Sequence, residues 1–477
     1  MVKDLQELLM QEEIGEAKLL MSKLHGKVTF DYQEHKWYTW TGSVWSSIGS
    51  GEVVERVSEI TDYLEIRLMT LDSTYQPLKD AIKRRIHALN KVQRRLNIVR
   101  ALEMLYPQKQ QGAIDWDQTR MLLPVANGVV DLTTGKLRTH SHDHMLRAIS
   151  STVYRGLQVT APTWDRFLLD IMDGDSDMVG FLQRLIGYAI TGDNSEHIFP
   201  VMWGRGRNGK GTLMETVGRI LGSLAAPVSA SLLMESTYSR GSSSPSPDLL
   251  ALLGKKVVWA NETEEGRRLS TATVKWLCGG DKIAARGLYA KEETSFYPTH
   301  TLFLLTNHRP VVSPDDYALW ERVKLIPFTL SYTDRPRELW ERKKNPHLFH
   351  RFEVEDQGIL AWMVRGAVDW HHNGLRPPAL LEDSAAEYQS EMDNVRRFIV
   401  DDCEVDVEFT TRAQVIYNHY RLWCRKQGIT TPMTQSKFGR RFTKRFPKHR
   451  RGSGYLYLGV RPKVEGVSLN PKDGEEW

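Results

Sequence analysis

The chain has 477 residues, 41% hydrophobic and 26% charged, which is enough apolar material to bury real cores; by length alone about two to four domains are expected. A net charge of only +5 means that any nucleic-acid binding must come from local clustering, and three widely spaced cysteines (Cys278, Cys403, Cys424) exclude a cysteine metal framework and a disulfide scaffold. Neither a signal-peptide pattern nor a long uncharged apolar run is present, so a reducing, cytoplasmic setting is expected.

Taken in order, residues 1–26 space their leucines as an amphipathic helix, and 27–48, with Trp37, Tyr38, Trp40 and Trp45 around Thr41-Gly42, predict a β-hairpin or small meander. Residues 50–110 are helical and increasingly basic, with Lys83, Arg84, Arg85, Lys91, Arg94, Arg95 and Arg100 on a face that either meets phosphates or is simply solvated. Asp115-Trp116-Asp117 reads as a turn, Asn127 to Leu137 as strand–turn–strand, and Pro162 and Met178 begin helices that lead to Thr191-Gly192.

The next stretch organises the chain. The apolar run Ile198 to Trp203 enters Gly204-Arg205-Gly206-Arg207-Asn208-Gly209-Lys210-Gly211-Thr212, and a helical pattern leaves it. Strand, glycine loop, lysine, hydroxyl and helix form the layout of a phosphate-binding P-loop, in which backbone N–H groups and a helix N-terminus face an anion. Gly204, Gly206, Arg207, Asn208, Gly209, Lys210, Gly211 and Thr212 are the candidate phosphate ligands. Gly211 stands where Ser or Thr is usual, so the direct Mg²⁺ ligand is open between Thr212 and other groups. Residues 236–248, rich in Ser, Pro and Gly, predict a loop. Val257 to Glu262 is a buried strand ending in acid, as phosphoryl transfer to water requires; Asn261 stands where a second acid is common. A further strand, Thr301–Thr306, ends at Asn307, and Arg322 precedes another, Val323 to Phe328.

Residues 335–390 read as helical with a break at Pro377-Pro378. Beyond them, helices opening at Val395 and Ala413, a third over 434–446, and a strand over 454–460 suggest a winged helix. Lys437, Arg440, Arg441 and Lys444 surround Phe438 and Phe442 on the third helix as a DNA-recognition pattern, with Lys448, His449, Arg450 and Arg451 at the wing.

These motifs in this order resemble the ATPase of superfamily III helicases, and more closely the primase-helicases of phages, plasmids and poxviruses. Gly204–Lys210 resembles the Walker A motif, Val257–Glu262 Walker B, Lys275–Asp281 the motif special to the superfamily, and 301–307 its motif C. The resemblance implies an α/β P-loop core of the AAA+ type and ATP with Mg²⁺ as cofactors. It implies a homo-oligomer, a hexameric ring, with single-stranded DNA in the pore and duplex at the C-terminal module. Lys210, Glu262, Asn307 and Arg322 would be catalytic, Arg322 acting as a finger on the neighbouring subunit; Thr212, Asn261 and Glu262 would hold metal; Arg286, Tyr289 and Lys291 would line the pore. The expected segments are 1–110 (mixed hairpin and helices), 111–195 (mostly helical), 196–335 (ATPase core), 336–390 (helical linker), 391–465 (winged helix) and 466–477 (tail). No primase acid-and-histidine set is legible, so priming would need another chain, a primase or polymerase. A mobile-element origin would put the protein in a bacterial host's cytoplasm. Two rivals stay open: an origin-binding or ring-loading protein whose ATP site only switches assembly, and a small-molecule P-loop kinase, because Lys-Gly-Thr also follows the loop in nucleoside monophosphate kinases.

Overall fold

Five strands with aligned carboxyl ends carry the organising loop. In the computed structural model, which describes residues 2–105, 114–235, 245–262, 264–288, 293–314, 316–429, 432–452 and 454–463, the sheet runs in the order 323–327, 199–203, 301–306, 257–262, 225–229, every neighbour parallel. Its inner strands are near-continuous apolar runs, and Thr301–Thr306 is buried at all six positions. That is the pattern expected of a parallel sheet covered on both faces. The helix Lys210–Leu221 covers one face, with the Trp259 ring packed against Gly218.

Helices Ser176–Thr191 and Asp356–Asn373 cross in very close contact: a Cβ at Gly187 would lie 2.1 Å from the Ala367 nitrogen, and one at Gly366 2.0 Å from the Gln183 carbonyl oxygen. The helix Pro162–Ile171 starts with proline, whose missing N–H costs nothing there, and its exposed amides are satisfied from a distance. Both carboxylate oxygens of Glu355 accept from Thr163 N at 3.0 Å, and one also accepts from Trp164 N at 3.1 Å. Before these helices, 122–125, 128–131 and 136–138 form an antiparallel sheet, so the stretch read as mostly helical is mixed.

At the amino end, two helices, Val2–Met10 and Glu12–Leu24, replace the single one expected; Glu12 takes φ of 49°, which no continuous helix allows. The three-stranded meander 28–31, 36–40, 45–48 follows as read, then four helices to Leu105. The basic face of these helices is only partly exposed. Arg85 Nη1 lies 3.2 Å and Arg94 Nη2 3.1 Å from the carboxylate of Glu16, whose side chain is 1% exposed. Asp115 to Asp117 is a turn, and the buried Asp117 pairs with Arg147 at 2.9 Å while Trp116 Nε1 donates to Asp31.

By internal contacts the chain forms two units, one of residues 1–310 and 321–381, the other of 311–320 and 382–477. The second has helices Asn394–Asp402, Ala413–Lys426 and Gln435–Phe442 and an antiparallel sheet in the order 403–412, 454–462, 448–451. Phe398, Tyr420, Trp423, Phe438, Phe442 and Tyr457 fill its core. The strand Cys403–Arg412 was not anticipated. No helix among the described residues is long and apolar enough to cross a membrane, and the three cysteines are free and buried. The 236–244 part of the Ser/Pro/Gly segment and the tail from 464 lie outside the described residues.

Candidate functional site

The apolar strand Phe199–Trp203 runs out at the carboxyl edge of the sheet, and the chain turns there under close constraint. Gly204 N donates to Thr306 O at 3.3 Å, and a Cβ at Gly204 would sit 2.1 Å from the Phe328 oxygen, so no larger residue fits. Arg207 and Gly209 both adopt left-handed backbone (φ 63° and 89°), which alternates the direction of successive amides as anion nests do. The helix Lys210–Leu221 begins at once, with no side chain capping its first turn. Free first-turn N–H groups and the helix dipole both favour an anion at that point.

Lys210 is 5% exposed. Its Nζ donates to Gly204 O at 2.7 Å and lies 3.4 Å from Asn307 Oδ1. Both partners are neutral, and burial alone pulls the ammonium down to about 8. Asn307 reaches this position because Thr306 is aligned between Trp203 on one side and Glu262 on the other. Two strand spacings separate Trp203 from Glu262, about 10 Å. Glu262 is buried and accepts from Glu264 N at 2.8 Å, with Arg267 Nε 3.8 Å away. Asn261 is exposed and Glu262 buried, at adjacent positions at the strand end. Alternation along the strand puts exposed Asn261 on the face of Trp259, where the 210–221 helix packs, and Glu262 on the other. Thr212 is half-buried in the first turn of the helix; Gly211 is exposed, and a Cβ there would meet only Glu215 Oε1, at 3.7 Å.

Arg322 sits at the opposite end of the sheet. It precedes Val323, which pairs with Phe199, whereas Pro327 pairs with Trp203. Five residues of extended chain, about 16 Å, therefore separate it from the loop's edge. Arg286 is half-buried next to the hairpin 283–285/294–296, its backbone bonded to Ser246 in both directions. Tyr289 and Lys291 lie outside the described residues.

On the 435–442 helix, Lys437 and Arg440 are exposed, as are Lys444 beyond it and Lys448 to Arg451 on the neighbouring strand. A groove of about 470 Å³ between them is lined by Gln435, Ser436, Gly439, Arg440, Thr443 and Lys448. Arg441 does not belong to that surface: it is 9% exposed and donates to Ser313 Oγ at 3.1 Å. Sequence reasoning also missed what borders the P-loop from far along the chain, namely the 328–343 segment and Arg309, whose guanidinium lies 4.1 Å from the Trp203 ring centre. No local pattern signals such contacts.

Comparison with known proteins gives two family matches: "D5 N terminal like" over residues 17–173 and "Poxvirus D5 protein-like" over 390–467. The first begins well upstream of the motifs read from the sequence; neither includes the loop. A protein of Acanthamoeba polyphaga mimivirus named "Putative helicase" is 29% identical over 322 residues, covering 64% of this chain and 33% of that protein. A protein of African swine fever virus named "Putative primase" is 23% identical over 446 residues, covering 84% of this chain and 45% of its own length. The chain thus spans less than half the length of these relatives. The solved apo structure of the NrS-1 C terminal region is 11% identical, with a TM-score of 0.44 over 93% of this chain and 98% of that one.

Proposed function

We propose, on the premise that this chain belongs to the D5 family of primase-helicases whose domains it carries at 17–173 and 390–467, that it is an ATP-hydrolysing helicase moving along DNA during replication. Relatives named as a helicase and a primase of large DNA viruses support a replicative setting. One observation carries the enzymatic reading. A buried lysine with neutral partners only, Lys210, closes a nest-like loop on the same sheet edge as the buried carboxylate Glu262.

A buried cation without an anionic partner is poised for one, and a triphosphate supplies it. Backbone amides of 204–209 and of the first helical turn then bind phosphate oxygens, and Lys210 holds the outer ones. Mg²⁺, when bound, neutralises phosphate charge; Thr212 and Asn261 are the residues suited to hold it. Glu262 orients and deprotonates the attacking water, and Asn307, already within reach of Lys210, reads the terminal phosphate. Arg322 lies at the far end of its strand from the loop; it acts on a neighbour's nucleotide in a ring of copies, a hexamer. Arg286 is the described residue that meets the strand in the pore. The three-helix, three-strand C-terminal unit acts as a winged helix that grips duplex through Lys437, Arg440 and Lys444, with Lys448, Arg450 and Arg451 on the backbone.

The test is Glu262→Gln. Nucleotide affinity should stay within about twofold, while ATP turnover falls on the order of 10²-fold or more. Retained turnover would move the base to another acid. Tight ATP binding with no turnover in the unaltered protein would favour the assembly switch instead.

A further inference from the structure

We propose that Trp340 and Arg205 form a stacking shelf for the base of the nucleotide whose phosphates occupy the 204–209 loop. The inference rests on the P-loop reading and adds to it the half of the ligand that the loop does not hold. The acid and sensor strands lie on one side of the loop strand; on the other lies 323–327. The chain leaving that strand follows the flank of the loop. Phe328 N donates to Trp203 O at 2.7 Å, Tyr332 N to Arg207 O at 2.7 Å, and Ser331 Oγ to Gly206 O at 3.1 Å. Ser331–Thr333 then pairs in parallel with Glu341–Lys343, and Ser331 N donates to Trp340 O at 2.9 Å. Trp340 is thus fixed to the loop through Ser331.

The indole is 41% exposed, and the exposed Arg205 lies with its guanidinium 5.2 Å from the ring centre. A partly exposed aromatic ring with a planar cation over one face, as Arg205 lies over Trp340, is the pairing that binds nucleobases by stacking and cation–π attraction. A triphosphate seated in the loop must send its base out along a flank, and this flank offers that surface. Stacking acts on the π-face that every base has, so the shelf favours nucleotides over bare triphosphate and discriminates little between bases.

Calorimetric titration of the full chain with Mg-ATP, Mg-GTP and Mg-tripolyphosphate tests this, using the unaltered protein, Trp340→Ala, Trp340→Phe and Lys210→Ala. ATP and GTP should bind the unaltered protein with similar affinity and about tenfold or more tighter than tripolyphosphate. Trp340→Ala should abolish that advantage and leave tripolyphosphate unchanged, and Trp340→Phe should keep most of it. Equal affinities for ATP and tripolyphosphate in the unaltered protein overturn the shelf and leave the loop standing. So does a Trp340→Ala variant that binds ATP normally, or one that loses both ligands together, which would mark Trp340 as structural. Lys210→Ala should weaken all three ligands; if it weakens none, the loop reading falls and the shelf with it.

Discussion

Burial holds the Lys210 ammonium at about 8, against an ordinary lysine value of 10.5. The sign of the linkage follows. Between these values the unfolded chain keeps a proton that the folded chain has lost, so this group's penalty on folding is full below about pH 8 and is relieved as pH rises towards 10.5. A phosphate in the loop would favour the charged form and restore the proton. Nucleotide binding at pH 8.5 should therefore take up a sizeable fraction of a proton, measured as a dependence of calorimetric heat on buffer ionisation enthalpy. Lys210→Met should remove that uptake; equal uptake in both proteins would place the titrating group elsewhere. At this scale the gathering of the glycine loop, Lys210 and Glu262 at one sheet edge was legible because the spacing of glycine, lysine and acid is local. The error was of side-chain direction. Arg441 is three residues from Phe438 and adjacent to Phe442, so it shares their buried face, and composition alone hides that.

Among the elements, the amino-terminal helices depend on one buried carboxylate. Glu16 pairs with Arg85 and Arg94, and Arg85 Nη2 also donates to Leu9 O at 2.8 Å, so three helices and the end of a fourth meet there. Glu16→Ala leaves the Arg85 guanidinium partly buried without its anion, while Arg94 keeps Glu13 at 3.3 Å, and should cost about 3 kcal/mol in urea unfolding. A loss under about 1 kcal/mol would show that Arg85 finds water instead. The core strands were legible because a parallel sheet needs long apolar runs and turn residues at their ends. Strand Cys403–Arg412 was missed although Val405, Val407 and Phe409 alternate with acids as in a strand; the apolar set does not face the core, and Val407 is 94% exposed. A register shift between Val405 and Thr410 breaks its pairing, so the alternating segment itself is not paired to the neighbouring strand. The single amino-terminal helix failed for a local reason: leucine spacing continues through Gln11, while the backbone breaks at Glu12.

For the whole molecule, the proposed function needs a second copy to complete the site. The loop and Glu262 share an edge of the sheet, and Arg322 belongs to the other. If Arg322 works on a neighbour, mixing Arg322→Ala with unaltered chains should depress ATP turnover below the line that simple dilution gives, and proportional loss would confine its role to its own chain. The two-unit division also exceeds what linear reading provides, since residues 311–320 join the unit formed by 382–477 although the core strand Val323–Pro327 intervenes. Contiguity in sequence is the only guide that composition offers, and here the fold does not follow it. On the proposed function, the basic C-terminal groove and the P-loop edge serve one task, nucleotide cleavage coupled to a polynucleotide. Steady-state ATP hydrolysis by the full chain, with and without single-stranded DNA and beside Lys210→Ala, measures it directly. Turnover that rises several-fold with DNA and disappears in Lys210→Ala is the expected result; hydrolysis indifferent to DNA, or untouched by loss of Lys210, would contradict it.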